Sequence, residues 1–595
     1  MQDATGALDT PIHCAPLGGE RSIAEGVGAT LLASVSLAAC GGGGGGSADP
    51  APAALPGSDA TLSTGGNTQL AALSAPQVSR FLLQAQFSVS DADIAAVQAQ
   101  GYARWLQTQM ATPISTLGWD WLNAQGYGDV NNSAEFYNNT YPGDYMVWSQ
   151  LMAAPDAPRK RMALALSEIF VVSLSGLDFS WRSHAIAHYW DTLNSYAFGN
   201  YRDLLGAITR NVAMGYYLNT KGNKKADGRG SQPDENYARE VMQLFTIGLV
   251  ELNQDGTPRL AGGNKIDSYG ASDVSNLAQV FTGYDLDMSQ NVYTSIAQAG
   301  GGTRNVPNTA FTRLPMVQVG SNHSTLAATF LGTTVPANTP ATQALNMALD
   351  RLFNHSNTAP NVCKQLIQRL VTSNPSAAYV KRVAGVFDDN GAGVRGSLAH
   401  VYAAILLDDE ARAPVGLSDP QFGKLREPML RLVQWGRSFG LTSTAGSWKI
   451  GDLSDAGTRL GQSPLRSPSV FNFFRPGYVP PATALSAGAV APEFQLVNES
   501  SVGGYLNYLQ SVIQNGINTD IKATYLPELA LAADAPALLA RLNLLLCAGQ
   551  LSAASQALIL AALSSMASST DAQKRNRVNA GVLLTMASAD YLVQK

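Results

Sequence analysis

The sequence predicts a mainly α protein, a large multi-helix globular domain with long loops and at most a small β-hairpin. Three observations predict it. Of 595 residues, 45% are hydrophobic and 14% charged, so burying apolar surface can offset the entropy of ordering the chain. Beyond residue 76, apolar side chains recur in one segment after another at the three- and four-residue spacing of a helix face. A short strand entering a turn is read only at Leu249-Val250-Glu251-Leu252 and the following Asn253-Gln254-Asp255-Gly256.

In chain order, the first element is an apolar run from Gly26 through Leu31, Leu32, Val35 and Leu37 to Ala39. Its length suits the hydrophobic part of an export signal and is short for a bilayer span. It closes with Leu37-Ala38-Ala39-Cys40, which resembles the lipobox of bacterial lipoproteins; that resemblance implies diacylation of the Cys40 thiol and a membrane anchor there. The preceding residues depart from a positive signal segment, carrying Asp3, Asp9, Glu20 and Glu25 against Arg21. Gly41 to Gly46 and then Ser47-Ala48-Asp49-Pro50 offer almost no side chains to bury and read as a flexible tether. The expected organisation is an export signal with lipobox over 1–40, a tether over 41–75 and a single large helical domain over 76–595. The expected location is the periplasm or cell surface. Gly41 stands where an aspartate accompanies inner-membrane retention, which favours the outer membrane.

Helical spacing then covers 78–87, 91–110, 145–152, 161–174, 185–198, 236–247, 274–281, 342–353, 362–371, 377–387 and 397–407. It resumes over 428–439, 503–515, 535–546, 553–566 and 571–586. Polar, Gly-rich intervals at 112–143, 288–326 and 440–492 read as excursions from the helical body, where binding elements commonly lie. The formal net charge of −5 supplies no basic field, which argues against a nucleic-acid partner. Cys363 and Cys547 read as two small buried hydrophobes, with a disulfide as the alternative.

No G-x-S-x-G elbow follows a believable strand, and neither a P-loop nor an H-E-x-x-H motif occurs, so standard hydrolase, kinase and zincin readings lack support. The clearest helix start is Ser231 with Asp234, the pattern of a capping box, with Pro233 in the first turn. From there Tyr237, Ala238, Val241, Leu244 and Phe245 share one face, while Glu235, Asn236, Arg239, Glu240 and Gln243 gather on the other.

Several blocks together resemble the bacterial domain-of-unknown-function family numbered 1800. They include Arg80-Phe81-Leu82-Leu83-Gln84-Ala85-Gln86-Phe87, Ala197-Phe198-Gly199-Asn200-Tyr201-Arg202 and the block from Pro233 to Gly248. Phe281-Thr282-Gly283, Leu370-Val371-Thr372-Ser373-Asn374-Pro375, Lys424-Leu425-Arg426-Glu427-Pro428 and Ser469 to Tyr478 extend the match through the chain. The resemblance implies a helical fold, an extracytoplasmic setting and frequent gene proximity to a secreted, sulfatase-like family numbered 1501. It implies no established activity, and any cofactor is unknown.

Two function classes follow. The leading expectation is an accessory envelope lipoprotein, a helical platform that binds a secreted partner, such as the sulfatase-like protein, or an envelope polymer. The alternative is an extracytoplasmic hydrolase or lyase with Glu240 as base, Arg239 as electrostatic clamp and His323 as acid. In either case Glu235, Asn236 and Gln243 would form one wall of a cleft. Lys424, Arg426 and Arg475 would form the other, with Tyr478 and Trp448 as stacking surfaces for an acidic or polyhydroxylated ligand. The plainer readings are a solvated Glu235–Arg239 pair, a loop-ordering hydrogen bond at His323 and loop anchoring by the arginines. His184, His188 and Asp191 have metal-ligand spacing, but Ile186, Tyr189, Trp190, Leu193 and Ala197 oppose them, so they are expected on a solvated surface without metal.

Overall fold

Short polar caps mark where helices begin. Ser74 and Gln77 close a reciprocal capping box, with the Ser74 amide donating to Gln77 Oε1 at 3.1 Å, and start the helix Ala75–Ala85. Asn498 with Ser501 and Thr570 with Gln573 do the same for Glu499–Asn515 and Asp571–Ala587. In this computed structural model the described residues are 67, 74–298 and 301–595. The segment expected as an export signal with its Cys40, and the expected tether apart from residues 67, 74 and 75, lie outside them.

The fold is mainly α, with 24 helices among the described residues and only two-stranded antiparallel ribbons beside them. At the centre lies Arg182–Tyr196, packed on Gly118–Ala124, Tyr141–Ala153, Ala157–Ser167 and Tyr201–Thr209. Ile186, Tyr189, Trp190 and Leu193 are fully buried there. A second layer joins Thr358–Leu370, Ala377–Asp388 and Leu398–Leu407. A third group contains Glu499–Asn515, Ala535–Cys547, Ala553–Ser565 and Asp571–Ala587, and the C-terminal strand Val593–Gln594 pairs with Lys424–Leu425. Cys363 and Cys547 are free and buried. No helix among the described residues is long and apolar enough to cross a membrane.

The segment expected as one helix over 91–110 is two, broken at Gly101, whose φ of 77° leaves the right-handed region. The run expected over 161–174 is helical only to Ser167. The strand expected at Leu249–Leu252 makes only isolated bridges, Val250 with Asp267 and Leu252 with Pro258. Pro258 has no N–H to continue a ladder. Nor are the Gly-rich intervals bare loops. One contains the helix Gly118–Ala124, and another the ribbon Tyr293–Ala297 with Thr303–Pro307. The third begins with the strand Leu441–Ser443, paired with Ile521–Ala523.

Candidate functional site

The helix Asn236–Gln243 starts later and by other means than a Ser231 capping box would dictate. Ser231 gives its amide to Asp227 Oδ1 at 3.1 Å instead of capping. Asp234 Oδ1 accepts the Asn236 amide at 2.8 Å, and the Asp234 amide is itself tied to Asn223 Oδ1 at 2.9 Å. The helix start is therefore clamped to the preceding Thr220–Asn223 turn.

Along this helix the polar band divides. Glu235 and Arg239 form an i,i+4 ion pair at 3.0 Å, with side chains 42% and 46% exposed. Asn236 and Gln243 are half-buried, and Gln243 Oε1 accepts from the Tyr269 hydroxyl at 3.0 Å. Glu240 turns inward: it is only 7% exposed, and its Oε2 is enclosed without a hydrogen-bond partner. Burial pushes its carboxyl above the usual range, with Arg239 pulling weakly the other way.

His323 is buried against the turn that follows Ala271–Val280. Its Nδ1 lies 3.0 Å from the Thr282 carbonyl, and the next residue locks the same turn, Ser324 N donating to Thr282 Oγ1 at 2.9 Å. Ser324 Oγ donates to Gln279 Oε1 at 3.2 Å. This turn faces the start of the Asn236 helix across an open groove of about 490 Å³, lined by Lys225, Gln232, Pro233, Glu235, Ser275, Gln279, Ser324, Thr325 and Leu326.

Of the candidates read from the sequence, Glu235 lines this groove, whereas Asn236, Arg239, Glu240, Gln243 and His323 are not among its lining residues, and the candidates from the other segments lie elsewhere. Lys424 is buried, its Nζ 2.9 Å from the Arg369 carbonyl, 3.3 Å from Glu427 and 3.1 Å from Glu493. Arg426 is buried over the Tyr591 ring and donates to the Tyr591 carbonyl at 2.7 Å. Arg475 is exposed beside the Phe471 ring, with its amide on Gln495. Tyr478 is half-buried, and its carbonyl accepts from Ala491 at 2.9 Å; Trp448 is buried. Among the described residues, no hydrogen bond or ion pair links Lys424, Arg426, Arg475 or His323 to the Asn236 helix.

His184 and Asp191 also differ from expectation, since both are buried. The Arg182–Tyr196 helix packs against several other elements, so most of the face opposite its apolar stripe meets protein instead of water, with His188 half-buried. Asp191 accepts the amides of Gly118 and Trp119 at 2.6 and 2.9 Å and so caps the helix Gly118–Ala124. Burial pushes its carboxyl up to about 7. His184 lies edge-on to Trp119 and Trp181, with both ring nitrogens unpartnered, and burial pushes it down to about 3. No group of three or more His, Cys, Asp or Glu among the described residues is placed to hold a metal.

The family described as "Protein of unknown function (DUF1800)" matches residues 80–593. The chain belongs to that family. Nothing among the curated proteins or the solved structures matches it. In this DUF1800 chain the block around Arg239 and Glu240 is thus a helix with one solvated ion pair and one enclosed carboxylate.

The polar residues that sequence reasoning passed over are Glu168, Arg369, Glu493, Tyr217, Ser467, Lys225 and Gln279. Glu168 could have been noticed, because it interrupts the apolar run Met162–Val172, where a charge demands a partner. The others carry no local signal, because long-range packing brings their partners to them.

Proposed function

We propose that this DUF1800 protein is an exported, lipid-anchored binding protein of the cell envelope, whose groove beside the Asn236 helix receives a polyhydroxylated polymer. The observation that carries this reading is the groove's lining. Amide groups at Gln232 and Gln279, hydroxyls at Ser275, Ser324 and Thr325, one cation at Lys225 and one carboxylate at Glu235 surround the apolar Pro233 and Leu326. Such a mixture suits a neutral ligand rich in hydroxyl groups, which needs donors and acceptors in equal supply and an apolar surface for its carbon face. The anchor at Cys40 would hold the groove near the membrane. The secreted sulfatase-like protein implied by the family's gene neighbourhoods is the proposed protein occupant.

Titration calorimetry with purified envelope polysaccharide fractions tests the groove. The paired substitution Glu235→Gln with Gln279→Ala should weaken binding about tenfold or more, the loss of two polar contacts at roughly 0.5–1.5 kcal/mol each. Unchanged affinity in a folded variant would overturn the reading. The enclosed Glu240 supports a second reading, a hydrolase or lyase with that carboxylate as proton acceptor, because burial raises its affinity for a proton above that of an ordinary carboxylate.

A further inference from the structure

The turn that carries His323 commits one ring nitrogen and leaves the other free. Thr282 Oγ1 gives its proton to the Gln279 carbonyl at 2.7 Å, and the Thr282 carbonyl lies 3.0 Å from His323 Nδ1. A carbonyl oxygen only accepts, so Nδ1 carries the proton and a neutral His323 keeps a lone pair on Nε2. Gly283 fixes the backbone there: at its φ of +84° an added Cβ would come within 2.9 Å of His323 N. Among the described residues Nε2 has no hydrogen-bond partner, and it is not sealed in as both ring nitrogens of His184 are.

The ring lines a small cavity, open to the surface, of about 10 Å³, the room of one water-sized group. This cavity borders the larger groove along Gln279, Ser324 and Leu326, which line both. Leu326, 63% exposed, forms the shared rim. Val280, Ala328, Val335 and Ala344 make the other walls largely apolar. The hydroxyls in the cavity have already spent their protons, Ser324 Oγ on Gln279 Oε1 at 3.2 Å and Thr339 Oγ1 on the Pro336 carbonyl at 2.7 Å. The Gln279 amide nitrogen is engaged by Asn276 Oδ1 at 3.4 Å. What remains for a guest is a set of lone pairs, on His323, Ser324 and Thr339, in an apolar surround.

On the reading that the groove receives a polyhydroxylated polymer, we infer that this cavity is its specificity pocket for a primary hydroxyl, with His323 Nε2 accepting the O–H. A secondary hydroxyl sits directly on a sugar ring and stays in the groove. An exocyclic hydroxymethyl group reaches one bond further, over the Leu326 rim, so that its methylene meets the apolar walls and its O–H meets the imidazole. A carboxylate on the same carbon has no proton to give and meets only lone pairs. A unit without the exocyclic carbon leaves His323 unmet. Uronate and pentose polymers should therefore be rejected in favour of neutral hexose polymers.

Calorimetry with the full chain at pH 8, where imidazole is ordinarily neutral, tests the pocket. The probe is an envelope polysaccharide fraction in two forms, untreated and with its primary alcohols selectively oxidised to carboxylates. The untreated form should bind at least tenfold more tightly, and reducing the carboxylates back to alcohols should restore the affinity. Oxidation also adds negative charge, so the deciding comparison is made within His323→Leu. General repulsion persists in that variant, whereas the hydrogen bond does not, and its preference for the untreated form should shrink at least fivefold. Ala344→Val narrows the cavity without touching His323; it should reduce the same preference and serves if the leucine variant does not fold. Equal affinity of the wild-type chain for the two forms would overturn the pocket and leave the groove reading standing. So would an undiminished preference in His323→Leu, or tight binding of a fraction whose sugars hold no primary alcohol. Failure of the untreated fraction to bind at all would overturn both.

Discussion

The Asn236–Gln243 helix and the junction around Lys424 are written in the same letters, carboxylates a few residues from basic side chains, yet they end in opposite environments. On the helix, Glu235 and Arg239 meet in water. At the junction, Lys424, Glu427 and Glu493 meet in the core with Arg369 and Glu168, all of them almost wholly buried. Sequence spacing is nearly alike in the two places, i,i+4 against i,i+3. What differs is how many other elements arrive. Arg239 keeps 46% of its side chain exposed, whereas the ends of Ala157–Ser167 and Thr358–Leu370, the C-terminal ribbon and the segment at Glu493 all close over Lys424. Local charge pattern therefore says little about what a charge is worth until the covering elements are known.

The sharpest way to break this comparison is to remove the cation that the junction encloses. Lys424→Met should cost about 3–5 kcal/mol, because it leaves Glu427 and Glu493 desolvated beside each other. A chemical denaturation series would show this as a lower midpoint at unchanged slope. A loss below about 1 kcal/mol would mean that water reaches the junction, and the contrast with the helix would disappear.

A smaller effect concerns the proton balance of the same cluster. Glu168 pairs with Arg369 at 3.0 Å, yet neither of its oxygens accepts a well-formed hydrogen bond. Burial first, and then the adjacent Glu427, push its carboxyl well above the usual carboxylate range. Glu427 is held below that range because Lys424, Glu168 and Arg369 together outweigh its own burial. The pair is satisfied when Glu168 keeps a proton and gives it to Glu427. With a raised native pKa, the stability Glu168 contributes is fully present below its unfolded value and is lost as pH rises through the folded one. Unfolding free energy should thus decline as pH rises from the ordinary carboxylate range towards the raised folded value, by up to about 1.4 kcal/mol per pH unit relative to Glu168→Gln, which has no such proton to lose. Parallel pH profiles for the two proteins would show that Glu168 is ionised in the native state.

The same contrast explains what could be read in advance. Sixteen segments were legible as helical from spacing alone because helix periodicity is local, and the long ones at 341–353, 377–388 and 571–587 lie within a residue or so of expectation. Gly118–Ala124 was not, because its cap, Asp191, comes from a distant helix. The burial of His184 was hidden for a related reason. A helix with an apolar stripe normally turns its other face to water, but Arg182–Tyr196 is surrounded. At the candidate site the Glu235–Arg239 pair was legible from i,i+4 spacing, whereas the burial of Glu240 on the same polar band comes from tertiary packing, which no spacing rule reports. Lys424 and Arg426 were expected to line a cleft for the same reason that they do not: their cationic heads found carboxylates and carbonyls supplied by remote parts of the chain.

The smallest expected effect is the most discriminating for the helix itself. Arg239→Ala removes one member of an exposed i,i+4 pair, worth about 0.2–0.5 kcal/mol and screened by salt. Thermal unfolding at moderate ionic strength should therefore shift by no more than a degree or two in so large a domain. The substitution should still register at the neighbouring position. Arg239 is the group that draws the Glu240 carboxyl down against its burial, so its removal should raise the midpoint at which Glu240 takes up a proton, read from the carboxyl signal in carbon NMR of labelled protein. A small change in stability with an upward shift at Glu240 would mean that one helix holds a solvated pair and an enclosed carboxylate side by side. A loss of several kcal/mol would place Arg239 in a covered network like that of Lys424, and the Asn236 helix would then belong with the junction instead of standing against it.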